Sequence, residues 1–110
     1  MKKETLNMIG LAKRAGAVMS GSFLVEQALR RKKAKLVLVA EDASENTKKQ
    51  IVALCQSRSV PLAVAGLKDE LGHALGQGER SCIAVIEEHL AEAVKKRLQE
   101  EGINWNCQGV

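Results

Sequence analysis

Aromatic residues are nearly absent from this chain: one Phe, one Trp and no Tyr in 110 residues. Apolar residues still make up 45% of it, so a core must be assembled from Leu, Ile, Val and Ala. Proline occurs once and charged residues reach 27%, a composition that argues against a disordered chain. The three cysteines, Cys55, Cys82 and Cys107, are odd in number, and no two have metal-ligand spacing. That excludes a disulfide scaffold and a Cys-based zinc site. Cys55 and Cys82 fall in apolar runs, where a free thiol behaves as a small hydrophobe. A reducing compartment is the simplest reading. No apolar run approaches the ~18 residues of a membrane span. Lys2 and Lys3 are not followed by a long apolar stretch, so no signal peptide is read and a cytoplasmic location is expected.

What is present is a mildly basic sequence. Lys and Arg number 17 against 13 Asp and Glu, for a formal net charge of +4. This permits nucleic-acid binding without requiring it. The length suits one domain, 1–110. Residues 4–15 read as a helix with a basic end at Lys13 and Arg14 and a stop at Gly16. Residues 17–20 read as a short strand and 22–32 as a second helix. K-L-V-L-V-A (35–40), V-P-L-A-V-A (60–65) and C-I-A-V-I (82–86) are apolar throughout, which predicts strands covered on both faces. Helices are expected at 45–57, after a Ser44 N-cap, at 67–75 and at 88–101. The third of these five helices should turn Ile51, Val52, Leu54 and Cys55 inward. In the frayed tail beyond 102, Ile103 and Trp105 are the residues that would dock. Helices alternating with buried strands imply an α/β fold, a three-layer α/β/α sandwich around a mixed, mostly buried four-stranded sheet.

Enzymatic chemistry finds little support. His73 and His89 are far apart and read as surface residues. Gly76-Gln77-Gly78 lacks the Lys of a phosphate cradle and reads as a flexible turn. Glu41 and Asp42 follow a strand; the simplest reading is a loop entering the Ser44 cap. No base accompanies Cys82 as a nucleophile. No catalytic set, metal or cofactor is expected.

The strongest physical signal is a basic run: Arg30, Arg31, Lys32, Lys33 and Lys35, five cations in six residues. Such a run attracts phosphates without reading sequence. Lys13 and Arg14 should lie near it. The lone Phe23 is the second signal. At about 100° per residue, Leu24, Val25, Ala28 and Leu29 form the core face of the second helix. Phe23 falls opposite, with Glu26, Gln27 and Arg30. Three readings follow: a staple folded over the first turn, a stacking platform for a base, or an anchor for a partner protein.

M-I-G-L-A-K-R-A-G (8–16), Gly21, Ala28-Leu29, K-L-V-L-V-A-E-D-A-S (35–44), T-K-K (47–49), V-P (60–61) and L-G-H-A-L-G (71–76) occur here in a familiar order. The chain resembles the kink-turn-binding ribosomal protein family, the L-seven-Ae family, and most closely its small bacterial YlxQ-type members. The resemblance spans about residues 4–98. It implies the sandwich fold, with structured RNA, ribosomal RNA included, as partner. In that family the second helix opens with Gly, a small polar residue, Asn or Lys, Glu or Gln, two variable positions and Lys. The Asn and Glu contact guanines of sheared G·A pairs, and the Lys contacts the backbone. Gly21 and Ser22 match, but Phe23, Leu24 and Gln27 stand at the three reading positions. Phe and Leu side chains cannot hydrogen-bond to a guanine edge. Leu24, placed on the core side, is expected to close the gap left by the Glu. The family's apolar loop before the last strand is replaced by the shorter, polar Q-G-E-R-S-C (77–82). The expected RNA-contacting set is Gly21, Ser22, Phe23, Leu24, Gln27, Arg30, Arg31, Lys32, Lys33, Lys13, Arg14, Glu41, Arg80, Ser81 and Cys82. The expectation is an RNA-binding protein with weakened or altered kink-turn specificity. A protein-interaction module of the translation or transcription machinery, gripping through Phe23, is the alternative. Neither a membrane nor a small-molecule substrate is expected.

Overall fold

The computed structural model describes residues 1–105. Two of the three wholly apolar runs become its central strands, β2 (Leu36–Val39) and β4 (Cys82–Val85), buried at every position. Only a strand covered on both faces tolerates that composition. The edges are β1 (Val18–Ser20) and β3 (Leu62–Val64), which are partly exposed. The order is β1-β4-β2-β3. β4 runs antiparallel to both neighbours, with Met19 opposite Ala84 and Val37 also opposite Ala84. β2 and β3 are parallel, Val37 opposite Leu62. Pro61 stands just ahead of edge strand β3, where its carbonyl accepts from the Val37 N–H at 2.9 Å. A proline is tolerated there because no ladder donor is needed.

Five helices cover the sheet: α1 (Lys3–Arg14), α2 (Ser22–Arg30), α3 (Glu45–Arg58), α4 (Lys68–Ala74) and α5 (Glu88–Glu100). α1 packs with α4 and α5 on one face, and α2 with α3 on the other. The result is the α/β/α sandwich expected. Its core is aliphatic, with Ile9, Leu29, Leu36, Leu38, Ile51, Leu71, Ile83 and Leu98 fully buried. Burying each such side chain contributes about 1.5–3 kcal/mol over leaving it in water. Ile103 and Trp105 pack against this core from beyond α5. Cys107 lies outside the described residues.

Capping fixes the helix starts. The Ser44 hydroxyl accepts from the Thr47 N–H at 3.1 Å at the head of α3. Glu87 accepts from Leu90 N–H at 2.8 Å and His89 N–H at 3.0 Å at the head of α5, and these backbone donors hold its carboxyl below the usual range. α1 has no cap of its own. The Glu101 carboxylate, from the far end of α5, accepts from the Lys2 N–H at 3.0 Å and from the buried Thr5 hydroxyl.

Three expectations are corrected. The 60–65 run, expected as a strand covered on both faces, is edge strand β3 with Val64 exposed, because it pairs only with β2 and lies at the margin of the sheet. Val52 and Leu54 are only half-buried, because α3 meets the sheet along the narrower stripe of Ile51 and Cys55. α2 ends at Arg30, since Lys32 turns left-handed at φ 60°.

The sheet has two distinct ends. At one, Gly21 N–H bonds the Cys82 carbonyl, Ala40 N–H the Ser81 carbonyl and Glu41 N–H the Gly66 carbonyl. At the other, Ile86 N–H bonds Ala17, Lys35 N–H bonds Val85 and Val37 N–H bonds Pro61. The first end carries the start of α2, and the second its basic terminus.

Candidate nucleic-acid interface

The start of α2 is shaped by one glycine. Gly21 sits at φ 90°, ψ 154°, a region open essentially to glycine alone. A Cβ there would meet nothing within 4 Å, so the requirement is conformational and not steric. The residue turns the chain from β1 into α2, and its N–H is held by Cys82 at 2.9 Å. No side chain caps the helix. The N–H groups of Ser22, Phe23 and Leu24 have no acceptor among the described residues. They carry the positive end of the helix dipole into solvent.

Phe23 is 73% exposed, the most open large apolar side chain described. No loop covers it, and the folded-over staple is excluded. Leu24 corrects the helical-wheel assignment. It is 40% exposed rather than core, because edge strand β1 leaves nothing outside α2 to cover it. Leu24 instead lines a small groove with Met19, Gln27, Ala28 and Ile86, rimmed by Arg31 and Lys33.

The loop between α4 and β4 completes this end. It reads as a flexible turn in sequence but is clamped. Gly72 approaches it so closely that a Cβ would lie 2.1 Å from the Gly78 carbonyl oxygen. Gln77 N–H donates to Gly72 O at 2.8 Å, and Ser20 Oγ donates to Gln77 Oε1 at 3.0 Å. Arg80 Nη1 donates to the Gly78 carbonyl at 3.1 Å and the Glu79 carbonyl at 2.8 Å. Its Nε donates to Ser20 Oγ at 3.3 Å. A guanidinium has five N–H donors, and the Nη2 pair is left without an acceptor among the described residues. The cation is thus fixed beside the free head of α2. Ser20, Gln77 and Gly72 hold the loop and Arg80 in place, and sequence reasoning missed them. Only the L-G-H-A-L-G motif held a signal, for Gly72.

The expected set divides in two. Gly21, Ser22, Phe23, Leu24, Glu41, Arg80, Ser81 and Cys82 gather at this end, while Gln27 lies past the middle of α2 and shares the Leu24 groove with Arg31 and Lys33. Cys82 offers only its backbone, because its side chain is fully buried and desolvation pushes its thiol to about 11. Glu41 is exposed, while Asp42 Oδ1 accepts from the Lys68 N–H at 2.8 Å at the head of α4. Arg30 ends the nine-residue helix and Arg31, Lys32 and Lys33 follow it, about 12 Å or more from Ser22 by helical rise. Arg30 pairs with Glu26 at 3.7 Å. Lys13 and Arg14 share that sheet end but sit on the opposite face, since α1 packs with α4 and α5 and not with α2. Arg14 lines a groove between α1 and α4 with Asp69, Glu70 and His73. No three His, Cys, Asp or Glu residues are grouped to hold a metal among the described residues. No described helix is long and apolar enough to cross a membrane.

The chain has relatives in sequence and in fold. The chain is 39% identical over 88 residues to the RNA-binding protein YlxQ of Bacillus subtilis (strain 168), covering 80% of this chain and 88% of that protein. It is 33% identical over 98 residues to the RNA-binding protein YlxQ of Enterococcus faecium, covering 89% and 94%. Among solved structures, a protein of unknown function from Bacillus halodurans C superposes with a TM-score of 0.85 at 30% identity, covering 89% of this chain and 99% of that one. The Giardia lamblia 15.5kD RNA binding protein superposes with a TM-score of 0.74 at 20% identity, covering 91% and 89%, a likeness of fold. The sequence pattern of one family matches residues 3–96, and the chain accordingly belongs to the ribosomal protein L7Ae/L30e/S12e/Gadd45 family.

Proposed function

We propose that this chain is a non-enzymatic, cytoplasmic RNA-binding protein that docks structured RNA on the sheet end formed by the start of α2 and the 77–82 loop. One observation carries this reading: an uncapped helix start, an exposed Phe23 and the fixed guanidinium of Arg80 share one surface. Free helix N–H groups take a phosphate oxygen, Arg80 adds a charged donor pair, and the Phe23 ring offers a face for an unstacked base. The RNA-binding names of the two YlxQ relatives support the same class.

Readout of a kink-turn is weakened here. Phe23 and Leu24 supply no hydrogen bond to a guanine edge, and Gln27 supplies no charge for the backbone. Recognition rests on shape, stacking and phosphate contacts. The test is titration with a kink-turn RNA and a plain duplex of equal length at several salt concentrations. The expected result is binding to both with steep salt dependence and only a modest preference for the kink-turn. No binding at low salt overturns the reading, and a strong, salt-insensitive kink-turn preference overturns the claim of weakened specificity.

A second reading is favoured by the contiguous exposure of Phe23 and Leu24 beside the Met19–Ile86 groove. In it, this patch anchors a protein of the ribosome or the transcription machinery. Loss of a protein partner on Phe23→Ala, with RNA affinity unchanged, would establish it.

A further inference from the structure

The helices of this chain do not end alike. Just past α1, α4 and α5 stand Gly16, Gly76 and Gly102, all at positive φ. Glycine is favoured there because the left-handed conformation crowds a Cβ. α2 and α3 end instead on Lys32 at φ 60° and Ser59 at φ 55°, the only non-glycine residues at positive φ among those described. Both line one concavity, at the end of the sheet away from the α2 start, together with Lys35, Ser57 and Arg58. Three cations and two serines thus rim a hollow whose remaining wall is Leu29, Ala34, Val60 and Pro61, and no carboxylate contributes to it. None of Lys32, Lys35 and Arg58 is in an ion pair among the described residues. Helix termini where glycine would be easier retain side chains that point charge and a hydroxyl into the same hollow. Backbone strain kept at a surface site marks a role for the side chain.

We infer that the concavity between the ends of α2 and α3 is a second RNA-contacting site, which takes the phosphodiester backbone of a segment distant from the one at the α2 start. This rests on the proposed RNA binding and extends it: the protein would hold two RNA segments at opposite ends of its sheet. Lys and Arg neutralise phosphates without reading bases, and the Ser59 hydroxyl suits the same oxygens, whereas Ser57 Oγ already donates to the Leu54 carbonyl at 2.9 Å. The neighbouring Arg31 and Lys33 continue the positive surface.

The test uses the full chain, a short structured RNA and the same RNA with both flanking stems lengthened by a helical turn. Lys32→Gly/Lys35→Ala/Arg58→Ala is compared with the charge-matched control Lys3→Ala/Lys49→Ala/Lys96→Ala. Wild type is expected to bind the long RNA more tightly. The first triple variant should lose about tenfold or more on the long RNA, with a salt slope shallower by about two to three, yet bind the short RNA as wild type does. The control should keep the gain. Lys32→Gly alone should melt higher than wild type while losing affinity for the long RNA, a pairing that a purely structural Lys32 would not produce. Equal affinity of wild type for the two RNAs, or parallel losses in both triple variants, overturns the second site and leaves the first standing. Absence of all RNA binding overturns both. Preferential capture of polyglutamate through these three residues would make the ligand a protein and overturn the RNA assignment.

Discussion

The backbone N–H of Gly21 donates to the carbonyl of Cys82 at 2.9 Å, tying the start of α2 to the first residue of β4. This bond brings a helix terminus and a loop more than fifty residues apart in sequence into one surface. Gly21→Ala keeps the space but not the conformation, so it should cost about 1–3 kcal/mol of stability, read as a lower denaturant midpoint. Gly72→Ala acts differently. A Cβ 2.1 Å from the Gly78 oxygen must displace the loop that Arg80 braces. RNA affinity should fall, with faster hydrogen exchange in residues 77–81.

Phe23→Ala separates binding from folding. The ring is 73% exposed, so the melting temperature should barely move. Loss of a base stack at about 1–3 kcal/mol should weaken RNA binding roughly 5- to 150-fold. Isothermal titration beside a thermal melt reads both numbers.

The exposure of Phe23 was legible because helical periodicity alone sets the face of a residue. Leu24 was not, because its burial depends on whether another strand lies outside β1, and that is settled by the pairing of residues 18–20 with 83–85. β2 and β4 were legible as unbroken apolar runs. The basic run and Phe23 looked like parts of one site because they are neighbours in sequence. A nine-residue helix sets them at opposite ends of the sheet. Lys13 and Arg14 were misplaced for a related reason: sequence gives the end of α1 but not the face on which it packs.

Arg80→Lys and Arg80→Ala should differ. Lysine keeps the charge but lacks the planar fork that reaches Gly78, Glu79 and Ser20 together. The lysine variant should retain the salt slope of binding yet lose affinity, whereas the alanine variant should lose both. Titrations at three salt concentrations distinguish them.

Two buried thiols make stability fall at alkaline pH. Desolvation, reinforced by Cys82, raises Cys55 from 9.0 to about 12, and desolvation raises Cys82 from 9.0 to about 11. Between pH 9 and about 11 the unfolded chain releases protons that the folded chain keeps, so this contribution is full below pH 9 and declines above it. Urea midpoints at pH 8 and pH 10 should show the loss, and Cys55→Ala/Cys82→Ala should flatten it.

The central claim is that RNA lies across the start of α2 and the clamped loop. Ultraviolet crosslinking of the full chain to a structured RNA, with the attached residues mapped by mass spectrometry, tests it most directly. The account predicts crosslinks within residues 22–27, centred on Phe23, and within 77–81. Efficient crosslinking that leaves both segments unmarked and falls on the α1 and α5 face would contradict it.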